Sequence, residues 1–512
     1  MRKNRKSPAK ESTEKGASVP NEETQKILDR IQNGFCAVLG AGISNRPLLG
    51  FLQMYGAKVI VRDRKPEEQL EQRDALLSCG ATLICGDNYL ETLDSFTPPE
   101  QTVIFRSPGL RPDSPDIQRA VQKGAILTSE MELFLALTPA TVIAVTGSDG
   151  KTTTTTLIGK LLEAGRKDSG GRVYVGGNIG CPLLPEARHM TEKDFAVVEL
   201  SSFQLQTMHR SPAHAVITNI TPNHLNWHTD MAEYTEAKYN IFQHPGCRAL
   251  TVNADNEGSL RAGLLAAAHS KAQTPECVPH LTFFSLTKGS YETVVPKEAA
   301  GALAVFEREG QIILSEGDRE TEIPVLRTEE IKVRGRHNVA NYMAAFAATR
   351  AFVLPSALPQ VAHSFGGVAH RIELVREKDG VSYYNSSIDS TPARTAVTLA
   401  SFEQKAIVIC GGYDKNLPFE PLAETLCRRA KQVVLTGACA GKILSALHAC
   451  PAYEPGRLAL CVEPDFEKAV RIACRDTRPG DAVILSPACA SFDAFRNFEE
   501  RGEKFKEIVQ SL

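Results

Sequence analysis

Phosphate chemistry is the first reaction class that the residues allow. The segment Val145-Thr146-Gly147-Ser148-Asp149-Gly150-Lys151-Thr152 ends the apolar run 141–145 and leads into a helical pattern over 153–164. Backbone N–H groups of a glycine turn at a helix N-terminus converge on anionic oxygens, and the helix dipole favours negative charge there. Lys151 is placed to neutralise the β and γ phosphates of ATP and Thr152 to hold Mg²⁺, with Gly147, Ser148, Asp149, Gly150 and Thr153 completing the cradle. The general P-loop pattern asks for glycine at position 145, where valine stands, so the signal lies in the strand, turn, Lys-Thr and helix context. A plain glycine turn is the competing reading.

Such chemistry also needs carboxylates for metal. Glu199 ends the apolar run Phe195-Ala196-Val197-Val198, and an acid at the C-terminal edge of a parallel strand faces the crevice where open α/β sheets bind ligands. It is a candidate Mg²⁺ ligand; otherwise it caps the next helix. His224, in Asn219-Ile220-Thr221-Pro222-Asn223-His224, and Lys238, on a helix starting near Met231, follow another apolar strand and taken alone read as surface residues. Near the N-terminus, Gly40-Ala41-Gly42 follows a strand, with Asp63 about 20 residues on, where dinucleotide binders place a ribose-binding acid. Asn45 replaces the third glycine of that pattern, which weakens a nicotinamide reading.

The elements that must position these groups are legible as a rhythm. Short β-branched runs at 37–39, 58–61, 82–84 and 102–105 alternate with helical patterns, the signature of βαβ units. That rhythm restarts at 141–145 and again at 406–409. Proline interrupts it at Thr138-Pro139 and Leu354-Pro355. The expected class is α/β with three domains: Rossmann-like over 34–138, a P-loop-type ATPase with a mainly parallel sheet over 139–355, and Rossmann-like over 356–512. Residues 1–20, poor in large apolar side chains, are expected to form a flexible tail, and 21–32 a short helix.

Bulk composition excludes more than it assigns. With 512 residues, 42% hydrophobic, 23% charged and a net charge of -2, the chain is globular and exerts no bulk pull on nucleic acid. It has no apolar run of the roughly 18 residues a membrane span needs and no secretory signal, so a cytosolic location is expected. The 13 scattered cysteines lack a CxxC pair and read as free thiols.

Taken in order, the turn 146–152, Gly176-Gly177-Asn178-Ile179-Gly180, Glu199-Leu200-Ser201-Ser202-Phe203-Gln204, the 219–228 stretch with Lys238, Gly335-Arg336-His337-Asn338-Val339-Ala340-Asn341 and His370-Arg371 resemble the Mur ligases. Leu485-Ser486-Pro487-Ala488-Cys489-Ala490-Ser491-Phe492-Asp493, with Phe498 and Glu500-Arg501-Gly502, resembles the branch that adds D-glutamate, as do Ser107-Pro108-Gly109 and Ser114-Pro115. The resemblance implies ATP-dependent ligation of D-glutamate to UDP-N-acetylmuramoyl-L-alanine. The route is an acyl phosphate, releasing ADP and phosphate, in cytoplasmic peptidoglycan precursor synthesis by a monomer.

It further implies roles by position. Lys151, Glu199, His224 and Lys238 would be catalytic, with Thr152, Glu199, His224 and Lys238, carbamylated by CO₂, organising two Mg²⁺ ions. Asn338 and Asn341 would approach adenine, and Arg371 the nucleotide phosphates. Ile43, Ser44, Asp63, Arg64 and Lys65 would contact the UDP moiety, with Asn178 and His224 on the muramoyl-alanine side. Lys415 would pair with the D-glutamate α-carboxylate, while Ser390, Ser491, Phe492 and Phe498 line that pocket.

One stretch departs from the family. Where many D-glutamate-adding enzymes have Asn-Asp-Ser-Lys, this chain reads Asn385-Ser386-Ser387-Ile388-Asp389-Ser390, so an acid and a lysine are replaced at Ser386 and Ile388. Asp389 is expected to compensate partly for the acid. Asn223 also stands where an aspartate often precedes the histidine. Rival readings are a Mur ligase for another amino acid, folylpolyglutamate synthetase, a non-catalytic nucleotide-binding paralogue, and a nicotinamide-dependent oxidoreductase; the C-terminal motif argues against the first two.

Overall fold

The computed structural model describes residues 22–42, 45–70, 73–166, 170–178, 182–225, 227–270, 279–317, 321–333, 335–415 and 417–512. Ile43, Ser44 and the tail expected over 1–20 lie outside these residues. Three sheets account for the rhythm in the sequence. All five strands of the first are parallel, in the order Thr82–Cys85, Lys58–Asp63, Phe35–Leu39, Thr102–Arg106, Ile126–Thr128.

The second sheet has nine strands. Its parallel part places Thr141–Thr146 between Phe195–Glu199 on one side and His214–Ile217 on the other, so the strand order reverses there. Crevices at such reversals are where open α/β sheets take ligands. Two antiparallel strands, Gln311–Ser315 and Glu322–Arg327, extend the far edge as a meander that carries none of the site residues. The third sheet has six strands, five parallel and one antiparallel edge strand, Glu373–Lys378.

These strands form because their apolar side chains are buried on both faces, the pattern of parallel sheets sandwiched by helices. Ile143, Ala144, Val145, Val197, Val198, Val216 and Ile217 are all fully buried. Burying one such valine or isoleucine contributes about 1.5–3 kcal/mol over leaving it exposed. The chain parts into two compact units, Met1–Glu329 with Arg336–Val361, and Glu330–Gly335 with Ala362–Leu512. The first unit carries two of the sheets and the second unit the third. Among the described residues no helix is long and apolar enough to cross a membrane.

Candidate active site

Strand register assembles the first unit's site. Val145 and Gly177 both pair with Glu199, and Thr146 pairs with Ile217, so four strands end in one row. The helix Lys151–Gly165 starts from that row with Gly150 as N-cap in the left-handed region, φ 79°. Only glycine fits there: a Cβ at 150 would collide with the Asn341 side chain, and one at 147 with Thr218 Oγ1. The helix's first N–H groups have no intrahelical acceptor, which is the anion-binding property expected of the turn.

Around this turn the polar groups converge. Lys151 Nζ donates to the carbonyls of Gly147 at 3.0 Å and Ser148 at 2.9 Å, which holds the ammonium over the turn. Thr152 Oγ1 donates to Glu199 Oε2 at 2.7 Å, and Asn178 Nδ2 donates to Glu199 Oε1 at 2.8 Å. Glu199 is thus held by two neutral side chains, and it is 2% exposed. A hydroxyl and a carboxylate that share one point are the hard oxygen donors that Mg²⁺ prefers.

Lys238 is the least expected group. The helix Met231–Tyr239, capped by Asp230 accepting from the Glu233 N–H, delivers its last turn beneath the glycine turn. There Lys238 is 1% exposed and donates to the Gly147 carbonyl at 2.8 Å. Its ammonium lies 4.6 Å from the Tyr234 ring centre. Burial first, then repulsion from Lys151, pushes its pKa well below the usual lysine range. His224 is pushed down too, by burial and then by Lys151 and Lys238, so it is neutral near neutral pH. Its backbone sits at φ 55°, rare for a residue with a Cβ. Phe203 packs edge-on against its ring at 4.9 Å, and Asn223 Oδ1 accepts from its N–H at 2.9 Å.

Other expected residues fall in varied places. Ser148 faces inward, bonding Thr221 and Tyr234, and its N–H and that of Asp149 go to Asn219. Asn341 Oδ1 accepts from Thr154 Oγ1 at 3.3 Å, and its Nδ2 donates to Asn338 at 3.2 Å, so both asparagines lie against the start of the turn's helix. Asp63 accepts from the N–H groups of Ala41 at 2.8 Å and Lys65 at 2.9 Å, while Arg64 and Lys65 are exposed. Asn45, in place of a third glycine, donates to the carbonyls of Leu39 and Gly40 and so closes the first turn.

The second unit repeats the strand-end logic. Asn385 and Ile409 both pair with Leu485, so the loops after three adjacent strands open on one edge. Lys415 Nζ comes within 3.4 Å of Ser390 Oγ. Tyr413 N donates to the Ala490 carbonyl at 2.9 Å, tying this loop to the one carrying Ser491 and Phe492. Ser491 is buried, whereas Phe492 is exposed beside Tyr413. Phe498 lies edge-on to His370, whose exposed neighbour Arg371 sits between residues with positive φ.

Asp389 corrects an expectation. Its carboxylate turns inward to accept from Thr398 and Ser486 hydroxyls, both at 2.8 Å, and it is 4% exposed, so it does not stand in for the acid missing at Ser386. Ser386 itself is fully buried and accepts from the Ile372 N–H.

Two residues were not singled out in the sequence. Tyr234 precedes Lys238 by four residues, hence shares its helix face, and that spacing is the signal that could have found it. Arg501 is 2% exposed and donates to Ser387 and to the carbonyls of Cys489 and Ala490, clamping two of the loops. Its place one turn before Phe505 and two before Ile508 marks an inward-facing position.

Comparison with known proteins agrees with this geometry. Residues 145–349 match the Mur ligase middle domain and 370–489 the Mur ligase glutamate ligase domain. The chain is 41% identical over 489 residues to a UDP-N-acetylmuramoylalanine–D-glutamate ligase of Clostridium botulinum, covering 95% of this chain and 99% of that one. It is 42% identical to the ligase of the same name from Clostridium acetobutylicum, covering 94% and 97% of the two chains. Among solved structures, a UDP-N-acetylmuramoyl-L-alanyl-D-glutamate–2,6-diaminopimelate ligase shares the fold, with TM-score 0.50 and 18% identity over 80% of this chain and 92% of that one. Identity of this extent over nearly the whole length, with both domains matched, shows that the chain belongs to the Mur ligase family.

Proposed function

We propose that the protein joins D-glutamate to UDP-N-acetylmuramoyl-L-alanine, the ligation that its relatives' names state, at the expense of ATP, in the cytoplasm and as a monomer. The observation that carries this reading is the row of strand ends that brings Lys151, Thr152, Glu199 and Lys238 onto one edge. The substrate carboxylate resists amine attack until phosphate gives it a leaving group. Lys151 neutralises the transferred phosphoryl charge, and the N–H groups that open the helix Lys151–Gly165 hold it in line.

Thr152 and Glu199 would hold Mg²⁺, which when bound would supply screening of the repulsion between the anionic carboxylate and the triphosphate. Lys238 would react with CO₂ as a free amine, the form toward which its burial shifts it, releasing one proton to solvent, and the carbamate and His224 would hold a second Mg²⁺. Asn338 and Asn341 meet adenine, Arg371 the nucleotide phosphates, and Asn178 and His224 the muramoyl-alanine end. Asp63, Arg64 and Lys65, with Ile43 and Ser44, hold the UDP moiety.

Lys415 and Ser390 take the amino acid's α-carboxylate, and Ser491, Phe492 and Phe498 bound the remainder. We place the domain limits at 34–138, 139–355 and 356–512. The test is phosphate release from ATP with Mg²⁺ and UDP-N-acetylmuramoyl-L-alanine, with D-glutamate, L-glutamate, L-alanine, L-lysine or meso-diaminopimelate. Release is expected with D-glutamate alone; release with another amino acid overturns the specificity. Lys238→Ala should abolish release at any bicarbonate concentration, and an active variant removes the carbamate from the mechanism.

A further inference from the structure

At the opposite end of the central strands lies a cavity of about 860 Å³, unrelated to the glycine turn. His214, Ala249 and His280 stand in register at the first residues of three adjacent parallel strands. Shared register sends both imidazoles to the same side of the row, their Cα atoms roughly 10 Å apart at the usual strand spacing. Arg248 precedes the middle strand, and Arg350 enters just past the helix Arg336–Thr349. Thr251, Ala267, Leu303, Ala347 and Phe352 contribute to the rest of the wall, and the Phe352 ring meets His214 edge-on at 4.9 Å.

Arg248 and Arg350, with the imidazoles of His214 and His280, line this space beside one acid, Glu298. Arg350 pairs with Glu316, yet its Nε is buried with no hydrogen-bond partner. Burial first, then Arg248 and His280, lowers the His214 pKa to about 4, so His214 lines the cavity as a neutral ring. A guanidinium fork matches carboxylate or phosphate oxygens two at a time, and the ring-and-alanine wall suits a flat apolar body. The volume lies within the range of small-molecule sites, about 300–1,000 Å³.

We propose that this cavity is a second ligand site, taking a small molecule with a carboxylate or phosphate head on a planar apolar body. Its head group meets Arg248 and Arg350, and its body lies against Phe352. The residues involved are separate from every group assigned to the ligase reaction, so the site stands or falls independently of that reading.

The experiment is calorimetric titration of the full-length protein with phenyl phosphate, benzoate and inorganic phosphate, each in saturating Mg·ADP so that the glycine turn is occupied. Phenyl phosphate or benzoate should give one saturable event, with Kd on the order of 0.1–1 mM for ligands this small. Whichever binds tighter identifies the head group, and inorganic phosphate should bind at least about tenfold more weakly than phenyl phosphate because it lacks the body. Arg248→Glu, at an exposed position, should weaken binding by at least about tenfold. His280→Glu provides the same test should that variant fail to fold. No event in Mg·ADP, or an event unchanged in the folded charge-reversed variant, overturns the proposal.

Discussion

Glu199 and Asp63 hold the same place in two sheets, each the last residue of a parallel strand at the edge where ligands collect. Their carboxylates are employed differently. Glu199 is met by side chains, Thr152 Oγ1 and Asn178 Nδ2, which can rotate aside for a cation. Asp63 is met by its own chain, through the N–H groups of Ala41 and Lys65, which cannot leave without moving the first turn. The comparison shows that a strand end supplies a position, while the donors that reach it decide the role. Glu130 is a third case, 6% exposed on the helix Glu130–Leu137, with the Leu184 N–H as its partner at 3.2 Å.

The sharpest break of this contrast is Glu199→Gln. Losing the charge proposed to bind metal should lower kcat by on the order of 10²–10³, with the melting temperature nearly unchanged. A variant that unfolds instead would put Glu199 in the structural class with Asp63.

Glu130→Gln should show the reverse, a stability effect without a kinetic one. Burial raises the Glu130 pKa to about 7 from an ordinary 4.5. Between those values the folded state binds more protons than the unfolded one, so stability falls as pH rises. Below about pH 4.5 both states are protonated and the amide gains nothing; above about pH 7 it should stabilise by roughly 3 kcal/mol. Melting curves at pH 5 and pH 8 check this, and equal gains at both would show that burial of charge is not the cause.

Asp63→Asn should have the smallest effect. One backbone N–H loses its acceptor, a cost of about 1–2 kcal/mol, and the KM for the UDP substrate should rise while kcat holds. A fall in kcat with KM unchanged would move Asp63 toward the role of Glu199.

Much of the fold was readable because its cause is local. Apolar runs of strand length separated by helical periods announced three parallel-rich sheets, and the Gly-Lys-Thr turn announced the phosphate edge. Lys238 could be named from its motif, but not its burial under Gly147, which comes from a residue 91 positions earlier in the chain. Asp389 misled for the same reason: its nearest motif faces the ligand edge, while its partners Thr398 and Ser486 draw it into the core. The cavity lined by His214, Arg248, His280 and Arg350 had no signal in the sequence, because its groups come from two strand starts, the residue before a third, and a helix end.

By itself, then, the sequence determined the α/β class, the order of the motifs and the family to which they belong, since periodicity and short-range glycine geometry are written into neighbouring residues. Tertiary structure alone decided which acid is met by side chains and which braces a turn, and which lysine is buried, its pKa pushed down. Those outcomes depend on desolvation and on donors brought from distant strands, and neither is a property of any segment taken alone.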